Sequence, residues 1–139
     1  MEIPKGFSFK NVDISLSTGD IRLEDISANS LNLSVSTGRI DINGAVCKED
    51  IKIIVSTGKA YLTDVKCKSL ESDGNTGDIS LTSVTASEKL SLERTTGDIL
   101  LENCDASEIY IKTSTGDVKG TLLTEKTFVA QTSTGKIDV

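Results

Sequence analysis

The chain has 139 residues, 37% of them hydrophobic, and its 15 Lys and Arg stand against 21 Asp and Glu for a net charge of −6. That is the length of one domain, and the acidic balance excludes a general nucleic-acid binder, which needs clustered positive charge to neutralise phosphates. Histidine, the commonest general base and zinc ligand, is absent, and no apolar run approaches the roughly 18 residues of a membrane span.

The chain is organised by a repeat. A Thr-Gly pair recurs at Gly19, Gly38, Gly58, Gly77, Gly97, Gly116 and Gly135, with spacings of 19, 20, 19, 20, 19 and 19 residues. Apolar residues between the pairs alternate with period two, the strand signature. Leu31, Leu33 and Val35 lead into Gly38, and Ile40 and Ile42 follow it. Ile51, Ile53 and Val55 precede Gly58, with Ala60 and Leu62 after it; Leu90 and Leu92 precede Gly97, with Ile99 and Leu101 after. The parity changes across each glycine, as expected if the chain turns a corner there and keeps one side inward. A third apolar column, seven residues past the glycine, holds Ile26, Val65, Val84, Cys104 and Leu123. No segment has helical periodicity.

Strands of this length fit an antiparallel meander with hairpin turns or a parallel β-solenoid with coils about 4.8 Å apart. Uniform coil length and the unbroken Thr column favour the solenoid, because a meander needs only alternate strands to match. The sequence therefore predicts an all-β, single-stranded parallel β-helix over residues 1–139, with about seven coils. Right-handedness follows from the handedness of parallel crossovers. Phe7, Phe9 and Phe128 are the only Phe residues; they fall in the first and last coils and are expected to cap the open ends. Lys136 to Val139 stops partway round a coil, consistent with a longer protein or with completion by a partner.

Candidate chemistry is sparse. Cys47 and Cys67 share a column with Ala28, Ala86 and Ala106. They could reach disulfide distance across neighbouring coils, but a column of small apolar residues is the better account. Asp20, Asp78, Asp98 and Asp117 each follow a corner glycine. Bonding to nearby backbone explains them better than a calcium ladder, whose repeat is a glycine-rich nonapeptide. No cysteine spacing forms a zinc site, and neither a metal nor another cofactor is expected.

The inward pattern fails in one place. Three residues before the glycine the column reads Leu16, Val35, Val55, then Gly74, Arg94, Thr113 and Thr132, and Ser72 breaks an adjacent column of Ile and Leu. Broken local rules mark function or strain. Asp73 and Arg94 are accordingly candidate binding residues, lining a shallow polar groove for an anionic or sugar-like ligand, although a partly wet corner would explain the polarity too.

The recurring Ser-Thr-Gly-Asp-Ile-x-Leu unit, as in residues 17–23 and 96–101, resembles the bacterial adhesin-type family of β-strand-repeat domains (DUF4097 type). The resemblance implies one β-helical domain with no catalytic residues to carry over and a place at the cell envelope or outside the cell. A signal or anchor segment is not evident in the chain, which leaves a cytoplasmic location open. The expected function is a non-enzymatic structural or adhesion-like module that meets a protein or glycan at its surface. One alternative is a bactofilin-like β-helix that self-associates through its coil ends. A second is a small carbohydrate-binding or carbohydrate-active β-helix, disfavoured by short loops and the lack of His.

Overall fold

A computed structural model describes residues 2–3, 8–122 and 127–138. The described residues form eight strands: β1 (Glu2–Ile3), β2 (Ser8–Cys47), β3 (Asp50–Thr76), β4 (Ile79–Thr96), β5 (Ile99–Thr115), β6 (Val118–Leu122), β7 (Thr127–Thr134) and β8 (Ile137–Asp138). At 40 residues β2 would run about 130 Å if straight; instead it bends round corners without losing strand geometry.

All pairings are parallel, and the spatial order β1-β2-β3-β4-β5-β6-β8, with β7 beside β5, follows the chain. Residue i lies beside residue i+19 or i+20. The column Asp41, Tyr61, Ser80, Leu100, Lys119, Asp138 traces successive coils, and Thr76, Thr96, Thr115 and Thr134 stack likewise. The fold is a parallel β-solenoid, and the meander is excluded. It makes about five turns against the seven coils expected. Seven corner glycines bound only six intervals, and residues 123–126 of the last interval fall outside the described chain.

The alternation read from the sequence closes the core. Ile21, Ile40, Ala60, Ile79, Ile99 and Val118 form one inward column in which no residue is more than 1% exposed. Leu23, Ile42, Leu62, Leu81 and Leu101 form another. Stacking places like on like, so each coil roofs the one below and medium-sized aliphatic side chains fill the interior at crystal-like density.

Three corners shape each coil. At the glycine corner the backbone N–H groups of Gly77, Gly97 and Gly116 donate to the carbonyls of Thr96, Thr115 and Thr134, each at 2.9 Å. Gly58 has φ +140°, and a Cβ there would overlap the carbonyl oxygen of Gly38, so the coils approach too closely for any side chain. A second corner, six residues past the glycine, was not foreseen. Asp25, Asp64, Ser83 and Asn103 sit there with φ of 47–54°, and Gly44 with φ 80°. Asp and Asn tolerate this left-handed region best among residues with a Cβ. The third corner absorbs the difference between 19- and 20-residue coils. The register shifts between Cys67 and Ser69 and between Ala86 and Lys89. Of the expected end caps, Phe7 and the side chains of Phe9 and Phe128 lie outside the described residues.

Candidate functional site

Two features rise above the regular stack. The first is the polar corner. Gly74, Arg94, Thr113 and Thr132 are aligned on successive coils, and strand parity sends their side chains inward. Ser72, Arg94 and Thr113 are each 1% exposed. Arg94 therefore does not line a surface groove. It points into the solenoid, while Asp73, on the opposite side of its strand, is exposed. The two candidate residues are close enough to feel each other's charge but face different environments.

Arg94 runs along the solenoid axis. Its Nη1 donates to the carbonyl of Val55 at 3.2 Å, 39 residues and two coils away. The route passes Gly74, where a Cβ would overlap Nη1; glycine is required there to let the guanidinium through. Nε and Nη2 of Arg94 and Oγ of Ser72 have no hydrogen-bond partner. Burial lowers the Arg94 pKa to about 10, opposed by the charges of Asp73 and Asp78, so the side chain is a cation at neutral pH. In the next coils the hydroxyls turn to backbone. Thr113 donates to Gly97 O at 3.4 Å, and Thr132 donates to Gly116 O at 3.2 Å. Thr at these positions replaces Val with nearly the same shape and supplies a donor to the corner.

The second feature is the outer face beside the Asp ladder. Asp98 N–H donates to Asp78 Oδ1 at 3.0 Å, Asp117 N–H to Asp98 Oδ1 at 2.9 Å, and Lys136 N–H to Asp117 Oδ1 at 2.9 Å. Each carboxylate thus clips the backbone of the following coil, 19 or 20 residues on, where the sequence suggested a bond within the local turn. Among the described residues no cluster of acidic, Cys or His side chains is arranged to hold a metal. Next to the ladder lies a concavity of about 290 Å³ lined by Tyr61, Asp78, Ser80, Asp98, Leu100 and Lys119. Leu100 is 45% exposed, and the Arg39 guanidinium carbon lies 6.0 Å from the Tyr61 ring centroid, at the outer limit of a cation–π contact. The volume sits at the lower edge of small-ligand sites, and its chemistry is an apolar floor beside a row of carboxylates. The alternation shows that Tyr61 and Leu100 face outward; only coil stacking shows that they share one hollow.

Cys47, Cys67 and Cys104 are free and buried. Burial pushes the Cys47 thiol up to about 11 and that of Cys67 up to about 12, so they are inert fillers of a small-residue column. Among the described residues no helix is long and apolar enough to cross a membrane.

A family model described as Toastrack DUF4097 matches residues 29–139. No curated protein matches the chain, and no solved structure does.

Proposed function

The chain belongs to the Toastrack DUF4097 family of β-repeat domains of unknown function, and on that premise we propose that it is a non-enzymatic solenoid module that presents its ladder face to a partner at the bacterial cell envelope. The observation that carries this reading is the hollow beside the Asp ladder, where the outward, 45% exposed Leu100 lies with Tyr61 along three stacked carboxylates. A soluble surface keeps large apolar groups scattered; here they line one concavity with a fixed charge edge. The chemistry favours a protein partner offering apolar and cationic side chains, with a glycan stacked on Tyr61 as the lesser fit. The stiffness of the stack suits the role, because each coil is held by its neighbours on both sides.

The test is retention on a purified cell-envelope fraction. The wild-type protein should sediment with the envelope, and a Tyr61→Ala, Leu100→Asp double variant should stay in the supernatant with an unchanged melting temperature. No retention of the wild type, or equal retention of both proteins, overturns the reading. Self-association through coil ends is a second reading, favoured by Ile137, which continues the inward column of Val118 yet is 43% exposed on the last described coil. Sedimentation over a concentration series decides it: growth beyond a dimer supports stacking, and a constant monomer rejects it.

A further inference from the structure

We propose that the solenoid encloses a single monatomic anion, a halide, held at the polar corner by the Nε and Nη2 edge of Arg94 and the hydroxyl of Ser72. Nη1 is committed to the Val55 carbonyl. The two guanidinium nitrogens without a partner, Nε and Nη2, belong to one edge of the planar group. Their N–H bonds run parallel, the fork that grips a single acceptor or a carboxylate. Ser72 Oγ is the third buried polar atom without a partner, and it lies inward on the coil before Arg94, since Ser72 pairs with Leu92 and Gly74 with Arg94.

Charge selects the occupant. Arg94 is 1% exposed, and among the described residues no carboxylate pairs with it; Asp73 and Asp78 act only through space. An isolated buried cation costs several kcal/mol, so the corner calls for a negative charge inside the stack.

Size selects the ion. Against the Val of its column, Arg94 adds four side-chain heavy atoms, and Gly74 removes three. Ser72 removes two more against the Ile or Leu of its own column. The corner is therefore about one heavy atom short of the packing that the other coils maintain. That admits a halide and rejects phosphate, sulfate or a sugar. The closed coils leave no wide entrance, so the ion is taken up on folding or during local opening.

Two measurements test this on the whole chain. Crystals grown or soaked in bromide should show one anomalous peak per chain within hydrogen-bond distance of Nε and Nη2. In urea or heat melts at constant ionic strength, the folding equilibrium constant should rise close to tenfold per tenfold increase in halide above its dissociation constant. Gluconate, too large to fit, should give no such rise. Arg94→Met should abolish the halide dependence, and Ser72→Ala should shift the rise to higher halide. If Arg94→Met does not fold, Ser72→Ala and the bromide map still decide. Equal melts in halide and gluconate, a bromide map without a peak at Arg94, or a water in that place overturns the proposal.

Discussion

Replacing Gly58 by Ala tests the stacking geometry most directly. Gly58 adopts φ +140°, and the added methyl would overlap the Gly38 carbonyl oxygen of the preceding coil. Holding a residue with a Cβ in that backbone region costs about 1–3 kcal/mol, and forcing a methyl into a packed contact costs about 1–3 kcal/mol more. The expected loss is about 4 kcal/mol, a large share of the roughly 5–15 kcal/mol that a domain possesses. At this chain length it corresponds to a fall of about 15 °C in melting temperature. Each coil touches only its neighbours, so a defect here also uncouples the coils on either side and should broaden the transition. Urea melts followed by circular dichroism give the number, and Gly44→Ala is the control. There φ is +80° and the new Cβ meets the movable carboxylate of Asp25 at 2.6 Å, so the loss should be about 1–2 kcal/mol. A Gly58→Ala protein within about 1 kcal/mol of wild type would refute the close approach of the coils.

Ile40 is 0% exposed; Ile40→Asp buries an unpaired carboxylate in the stack and should cost about 4 kcal/mol or prevent folding, whereas a melting temperature within a few degrees of wild type would mean that Ile40 faces outward. Asp98→Ala removes the clip on the Asp117 N–H and should cost about 1 kcal/mol in a urea melt; calcium should leave the melts of both proteins unchanged, and stabilisation by calcium would show that the ladder binds metal after all. Cys47 and Cys67, held at about 11 and 12, should resist a thiol reagent at pH 8 until the chain unfolds; labelling of the native protein would refute their burial. Unfolded thiols lose their protons near pH 9 while these keep theirs, so stability should fall as pH rises through 9, and the fall should flatten toward pH 10, where loss of the Arg94 proton acts in the opposite sense. A Cys47→Ala, Cys67→Ala protein that keeps the same slope would refute the assignment.

The candidate site was only partly legible in the sequence. The broken column at Gly74, Arg94 and Thr113 singled out this corner, but its polarity suggested solvent where the structure has Arg94 and Thr113 buried in the interior. Alternation already puts Arg94 on the inward side; what it cannot show is that a guanidinium finds room there, because that room comes from Gly74 one coil earlier and the acceptor from Val55 two coils earlier. The second corner did leave a signal, since Asp25, Gly44, Asp64, Ser83 and Asn103 recur six residues past the glycine. The mixed residue types hid it beside the invariant Thr-Gly pairs.

The sequence alone determined the coil period, the parallel stacking and the membership of the core. The period and the core follow from short-range rules, a glycine where the backbone needs positive φ and side chains that alternate across a strand; the parallel stacking follows from the near-constant 19–20-residue spacing of the repeats. Tertiary structure alone decided the path of Arg94, the inter-coil clips of Asp78, Asp98 and Asp117, and the hollow shared by Tyr61 and Leu100. Each of these joins residues about one coil or more apart, and depends on which atoms the neighbouring coils leave unfilled or unbonded.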